Sequence, residues 1–371
     1  MSSLRGKKQV CTKESGSGMV KPKGRRIGLI RLSAIGDVCH AVATVQAIQR
    51  HAPEDEITWI IGRTEAALIG DLPGINFIIF DKKLGLAGFR NVLKAIPEPF
   101  DVLLHMQVSF RANLLAAAVP AKAKWGFPKH LSKELHGLVV NRRATMPDRP
   151  HVLEGFQHFA YALGVPPFEP TWAIPIAQED HLWVRERLTE HQPYAVIAPS
   201  ASNPERNWLV DRYAALAEHL QTRGYGVVLT ASPAEAEVVL AQKIVASANC
   251  DVINLAGQTS LKQLLAVVAK AGLVIAPDSG TAHMAVTQNT PTIGLYAHSN
   301  PQRTGPYKYQ NLTIDAYHKN LERLKPESSK TLKWGTRLKG AQLMEDISLS
   351  QVINKVDEVL RTLQLNDDSA T

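Results

Sequence analysis

The sequence predicts an α/β protein built from two consecutive doubly wound domains, and three observations carry that reading. At 371 residues the chain exceeds what one ordinary hydrophobic core organises. Short β-branched runs alternate with longer stretches of helical period, the mark of parallel strands wrapped by helices. The alternation is interrupted by Pro166-Pro167-Phe168-Glu169-Pro170 and then restarts. Proline neither continues a helix nor sits in a central strand, so this run reads as a domain connection. The expected organisation is a disordered basic tail over 1–25, a first domain over 26–170 and a second over 171–371.

In the first half the strands are expected at Arg26–Leu32, Ile57–Gly62, Phe77–Phe80, Asp101–Met106 and Ala123–Phe127. Helices are expected at Val38–His51, where Val42, Val45 and Ile48 share a face, and at Leu86–Ile96, Arg111–Val119 and Val152–Gly164. In the second half strands are expected at Tyr194–Pro199, Gly226–Thr230, Val252–Leu255, Leu273–Ala276 and Thr292–Tyr296. Between and after them come helices at Val210–Gly224, Ala234–Ala248, Leu261–Ala271, Thr281–Gln288 and Leu349–Leu363. Open sheets of this kind bind ligands beyond the carboxyl ends of their strands, so the cleft between the domains is the expected site.

The formal charge is +8, yet residues 1–26 hold eight lysines and arginines against Glu14 alone. Only a single net positive charge remains for residues 27–371. The basicity belongs to a Ser-, Gly- and Lys-rich tail rather than to the folded body, which argues against a nucleic-acid partner. The tail reads either as a solvated leader ahead of Met19 or as a segment drawn weakly to anionic lipid. No run approaches the length of a membrane span, and the N-terminus lacks the apolar core of a signal peptide. Cys11, Cys39 and Cys250 are too few and too scattered for a disulfide framework or a zinc site.

Three strand–loop–helix segments carry candidate chemistry. The first is Arg31-Leu32-Ser33-Ala34-Ile35-Gly36-Asp37-Val38-Cys39-His40. Gly36 admits close approach of a ligand, the helix start favours anions, and Asp37 serves either as a helix cap or as an active carboxylate. The second, Ala276-Pro277-Asp278-Ser279-Gly280-Thr281-Ala282-His283, repeats that architecture. Amides of Ser279, Gly280 and Thr281 at a helix start would cradle phosphate, and His283 stands one turn in. Capping by Asp278 and burial of His283 are the plain alternatives. The third, Pro199-Ser200-Ala201-Ser202-Asn203-Pro204-Glu205-Arg206-Asn207-Trp208, offers hydroxyls and a guanidinium suited to a diphosphate, or else a solvated loop. Neither GxGxxG nor GxxxxGK[ST] occurs, which disfavours dinucleotide oxidoreductases and P-loop NTPases.

In order and spacing these segments, with Leu255-Ala256-Gly257-Gln258-Thr259-Ser260-Leu261, resemble glycosyltransferase family 9. The resemblance covers about residues 26–362. It implies the GT-B fold, two Rossmann-like domains facing across a cleft, the first for the acceptor and the second for the nucleotide sugar. It also implies an ADP-activated heptose donor and an acceptor sugar on the lipopolysaccharide inner core. Ile57-Thr58-Trp59-Ile60-Ile61-Gly62 and Met106-Gln107 resemble members that add the first heptose to Kdo on lipid A. Phe77–Phe80, Asp81, Lys82, Lys83 and Arg111 resemble the branch acting on phosphorylated Kdo.

By position, the resemblance makes Asp37 the general base. It assigns donor contacts to Ser202, Arg206, Glu235, Thr259, Asp278, Ser279, Gly280, Thr281 and His283, with Glu235 at the ribose and Thr259 on the adenine side. It assigns acceptor contacts to Arg31, Ser33, Gly36, His40, Arg63, Gln107 and Arg111. Arg206 stands where the family usually has Lys, and Leu209 replaces the usual Pro. No metal or cofactor is expected beyond the substrate ADP-heptose, since no DxD pair lies near the cleft segments. The implied setting is the cytoplasmic face of the inner membrane, touched transiently, with a lipid A-Kdo acceptor. A member adding a later heptose and a nucleotide-sugar epimerase of similar shape remain alternatives; a nucleotide-sugar- or lipid-binding module is the non-enzyme one.

Overall fold

A computed structural model describes residues 24–133, 135–188, 192–326, 333–340 and 342–370. The first half runs β1 (Arg26–Ile30), α1 (Ile35–His51), β2 (Glu56–Gly62), α2 (Arg63–Ile69), β3 (Ile75–Phe80) and α3 (Leu86–Lys94). It continues with β4 (Phe100–His105), α4 (Phe110–Ala118), β5 (Ala121–Gly126), α5 (His136–Val139), β6 (Arg142–Arg143) and α6 (Val152–Tyr161). After α7 (Gln178–Arg187) the pattern restarts with β7 (Tyr194–Ile197), α8 (Val210–Thr222), β8 (Gly226–Leu229), α9 (Glu235–Ser247), β9 (Val252–Asn254) and α10 (Leu261–Lys270). Then come β10 (Leu273–Pro277), α11 (Gly280–Thr287), β11 (Thr292–Tyr296), α12 (Pro301–Thr304), β12 (Ile314–Asp315), α13 (Tyr317–Leu324) and α14 (Leu349–Ala370).

Each half holds one six-stranded sheet, ordered β3-β2-β1-β4-β5-β6 and β12-β11-β10-β7-β8-β9, and every described pairing is parallel. The second order read backwards is the first, so the halves are the same doubly wound unit twice. Strands of such sheets are covered on both faces and read as continuous apolar runs. In the first sheet Ile27, Leu29, Trp59, Ile61 and Leu104 face α1 and α6, while Ile30, Ile60, Phe80 and Leu103 face α3 and α4. In the second sheet Ala195, Ile197, Val227, Leu229 and Ile275 pack with α8, α9 and α14.

Both site helices begin earlier than their apolar period suggests. α1 starts at Ile35 and α11 at Gly280, so both site glycines lie in or at the first helical turn. Gly24 and Arg25, grouped with the tail by composition, belong to the folded body instead. The Arg25 backbone N–H and guanidinium both donate to the buried Asp55 carboxylate, at 2.7–2.9 Å. Residues 1–23 lie outside the described residues. The connecting segment between the halves follows α1, with the Trp172 indole N–H donating to the Cys39 carbonyl (2.8 Å) and Ala173 exchanging hydrogen bonds with Gln46. No described helix is long and apolar enough to cross a membrane.

Candidate active site between the two halves

Strand order in each sheet reverses beside its first strand, so the loops after β1 and β4 diverge to opposite faces and open a crevice, as do those after β7 and β10. In the first crevice Arg31 bridges the two loops. Its guanidinium pairs with Asp37, donates to the Met106 carbonyl (2.6 Å) and lies over the Phe156 ring (5.3 Å). Gln107 Oε1 accepts from the Leu32 N–H (2.7 Å), a second tie between the same loops. Burial pushes Arg31 below its ordinary value and the Asp37 charge opposes that shift. Asp37 also accepts weakly from the Ala34 N–H (3.5 Å), so capping and ion pairing fall to one side chain, and a third of that side chain stays exposed. A carboxylate that is oriented yet open can take a proton from an incoming hydroxyl.

The second crevice carries a matching pair. Asn203 Oδ1 accepts from the Glu205 N–H (3.3 Å) and sets the short 3₁₀ turn Pro204–Arg206. From that turn Arg206 donates to both the carboxylate and the carbonyl of Asp278, each at 3.3 Å. Asp278 is nearly closed off, with 10% of its side chain exposed. Beside it, the buried Ser279 hydroxyl and His283 Nδ1 have no partner among the described residues, and His283 Nε2 stands 4.0 Å from Asp278. Helix starts leave their first amides free, so Ser279, Gly280 and Thr281 at the head of α11 offer donors in the same place. Together these groups can serve as an anion cradle.

The two crevices face each other because α1 and α11 meet at their first turns. A Cβ at Gly36 would lie 2.3 Å from the His283 ring, and one at Gly280 would lie 3.1 Å from Ile35, so glycine permits the approach at both places. Around the contact, the His40 ring packs edge-on against His283 (4.6 Å) and His151 (5.2 Å). His151 Nδ1 accepts from the Leu153 N–H, so Nε2 carries the proton and donates across the halves to the Gly305 carbonyl (3.0 Å). Burial holds His40 well below its ordinary value, lowers His283, and lowers His151 to about 3, so all three are neutral near pH 7. Neutral His283 keeps one ring N–H to donate.

Of the residues singled out from sequence, the structure brings together Arg31, Ser33, Gly36, Asp37, His40 and Gln107 with Arg206, Asp278, Ser279, Gly280, Thr281 and His283. Others stand apart from this contact. Arg63 is exposed and paired with Asp81 (3.0 Å), and Arg111 is exposed on α4. Ser202 and Glu235 are exposed in the second half, and half-buried Thr259 precedes the Ser260 cap of α10. The side chain that turns inward from the start of α9 is Glu237, which accepts from the Ser200 hydroxyl (2.6 Å) and the Ser232 N–H (3.1 Å).

Sequence reading overlooked His151 and Arg303. Arg303 lies on α12 and lines a small cavity of about 10 Å³ with Asn300, Gly335 and Arg337, room for about one water. Burial lowers it, opposed first by Asp37, with Asp278 acting the same way, so it lies in the field of both carboxylates. Its signal was available: Ser299-Asn300-Pro301 after β11 is one more strand–loop–helix segment, with Asn300 capping α12. Among the described residues no three His, Cys, Asp or Glu gather as a metal-ligating group.

Comparison with known proteins agrees with this geometry. The chain is 42% identical over 332 residues to the lipopolysaccharide core heptosyltransferase OpsX of Haemophilus influenzae, covering 89% of this chain and 96% of that one. Its fold superposes on a family 9 glycosyltransferase from Veillonella parvula with a TM-score of 0.75 at 23% identity, covering 91% of this chain and 97% of that one. It superposes on the E. coli heptosyltransferase WaaC with ADP with a TM-score of 0.70 at 18% identity, covering 90% and 99%. These structures share the two-domain GT-B architecture with the chain. Residues 89–333 match the model of glycosyltransferase family 9, the heptosyltransferases, and with the relative at 42% identity this places the chain in that family.

Proposed function

We propose that the chain transfers heptose, with inversion, from ADP-L-glycero-β-D-manno-heptose to Kdo of the lipopolysaccharide inner core, the Kdo being carried on lipid A. The observation that carries the reading is the opposition of Asp37, oriented by Arg31, to the Asp278–His283 anion cradle across the contact of α1 and α11. Strong similarity to a lipopolysaccharide core heptosyltransferase supports the donor and acceptor class. The acceptor hydroxyl attacks the anomeric carbon as the bond to the ADP oxygen breaks, and the hydroxyl proton passes to the Asp37 carboxylate. Charge growing on ADP meets the amides of Ser279, Gly280 and Thr281, the Arg206 guanidinium and the His283 N–H. Closure of the halves excludes water as a competing nucleophile.

On this reading the charge on ADP is met by protein groups, activity persists in excess EDTA, and the enzyme works at the cytoplasmic face of the inner membrane. The test is ADP release by purified protein given ADP-heptose with Kdo-lipid A, with Kdo-phosphate-lipid A, or with an acceptor already bearing one heptose. Release with neither Kdo acceptor, but with the heptosylated one, would move the enzyme to a later step. Conversion of the donor without ADP release would make it an epimerase.

A further inference from the structure

We infer that the first half docks on an anionic lipid surface through the helical layer formed by α3, α4 and α5; this deepens the proposal of a lipid-linked acceptor. Of the twelve large apolar side chains that stand exposed among the described residues, seven fall between residues 79 and 138. Leu86 is 78% exposed, Leu135 64% and Leu138 81%, with Leu84 and Leu114 also open. They follow β3, β4 and β5 in the connections that leave the carboxyl ends of those strands, the edge that also carries Asp37 after β1. α3, α4 and Val139 beside them pack on one face of the sheet through Val92, Ala112 and Leu115, opposite the face covered by α1 and α6. At roughly 4.8 Å per strand, β3 to β5 spans about 20 Å, so the leucines form a strip rather than a spot.

The charge around the strip selects the partner. Segments 79–94, 108–119 and 127–143 hold nine lysines and arginines against two carboxylates, Asp81 and Glu134. Asp81 is held by Arg63. Protein interfaces are depleted of Lys at their cores, whereas leucines flanked by Lys and Arg suit the headgroup boundary of an anionic bilayer. The placement fits the substrate as well, since a lipid-anchored sugar would enter the cleft from the edge that meets the membrane.

The test is co-sedimentation of the full-length chain with vesicles of phosphatidylcholine alone or mixed equally with phosphatidylglycerol, at low and high salt. The variants are Leu138→Asp, Leu86→Asp, and Lys129→Glu with Lys133→Glu, all at exposed positions, with thermal melting to verify folding. The native chain is expected to bind the anionic vesicles and to lose affinity in high salt. Each variant is expected to lose roughly tenfold or more, while turnover on a short water-soluble acceptor stays unchanged. Vesicle binding that all three variants retain would overturn the inference by placing the contact elsewhere in the chain. So would absence of binding by the native chain, or a native dimer that Leu138→Asp dissociates, which would assign the strip to a second copy. Failure of the native chain to turn over any acceptor would sink the heptosyl-transfer reading and leave the vesicle result standing by itself.

Discussion

The loop after β1 and the loop after β10 are the same device used for two purposes. In both, a parallel strand ends at the reversal of strand order, an aspartate follows, an arginine pairs with it, and a glycine lies in the first turn of the next helix. They differ in access. Asp37 is one-third exposed and its arginine is anchored behind it on Met106 and Phe156, so the carboxylate faces outward. Asp278 is almost closed off, and its own arginine lies on the cradle side, held at both the carboxylate and the carbonyl. An open carboxylate can exchange a proton with substrate, whereas a covered one can only hold its neighbours in place. On the proposed reading the first loop holds the reacting group and the second a fixed field.

The sharpest way to break that contrast is to neutralise each aspartate. Asp37→Asn is expected to lower turnover by roughly 10²–10⁴, the usual range for loss of a general base, with ADP affinity little changed. Asp278→Asn is expected to act in the opposite sense, loosening Arg206 and weakening ADP binding more than it lowers turnover at saturating donor. Steady-state kinetics beside ADP calorimetry separate the two. Equal behaviour of the variants would erase the distinction between the loops.

On the donor side, Arg206→Ala and His283→Ala are expected to weaken ADP binding. Loss of a hydrogen bond to a charged group is worth about 1.5–3 kcal/mol, which is roughly tenfold to a hundredfold for Arg206. Arg206→Lys keeps the charge but not the planar guanidinium, whose Nη1 donates to both the carbonyl and the carboxylate of Asp278, so partial retention is expected. Unchanged calorimetric affinity in both alanine variants would mean that the cradle binds something other than the diphosphate.

The histidines extend the comparison to acid. His40, His151 and His283 lie where the halves meet, while His105 and His136 are stacked (4.6 Å) beneath α4 and share Asn113 Oδ1 as acceptor. Burial lowers His105 to about 3 and His136 to about 4, from an ordinary 6.5. These groups stay neutral in the native state, whereas the unfolded chain takes up protons below about 6.5. Their contribution is complete above that value and is lost as pH falls towards 3–4, by at most about 1.4 kcal/mol per pH unit for each group. Urea midpoints measured between about pH 7 and about pH 5 should therefore fall with acidification. His136→Gln should flatten the slope; an unchanged slope would contradict the burial argument.

How much of this was legible follows from separation along the chain. The segments 31–40 and 276–283 each place a glycine and an aspartate within a few residues of a strand end, so both could be singled out from sequence. The Arg206–Asp278 pair joins residues 72 positions apart and the His151–Gly305 bond spans 154, and no local pattern announces either. Helix starts were placed late because Gly36 and Gly280 look like loop residues until the opposite helix is seen to require them. α2 runs only seven residues and α7 is polar nearly all round, with Asp180 and Val184 its buried residues, so neither carries an apolar period that stands out. Glu235 matched by position, but it is Glu237, two residues on, that turns inward to Ser200.

The smallest effect is expected from the tail, and it tests whether the chemistry is confined to the paired crevices. Arg25 ties the chain to Asp55 at the amino ends of the strands, whereas Asp37 and the cradle lie at carboxyl ends. Residues 1–23 hold six of the basic side chains and none of the site segments. Deleting 1–23 should therefore leave folding and turnover on a short soluble acceptor unchanged. On acceptor embedded in anionic vesicles, the lost charges could still slow the reaction at low salt, since each basic residue near such a surface contributes about 1 kcal/mol. Salt would then erase the difference between truncated and full-length enzyme, because exposed charges are screened beyond about 8–10 Å at physiological strength. A large loss on the soluble acceptor would show instead that the tail reaches the crevices, and the division of labour between the two loops would have to include it.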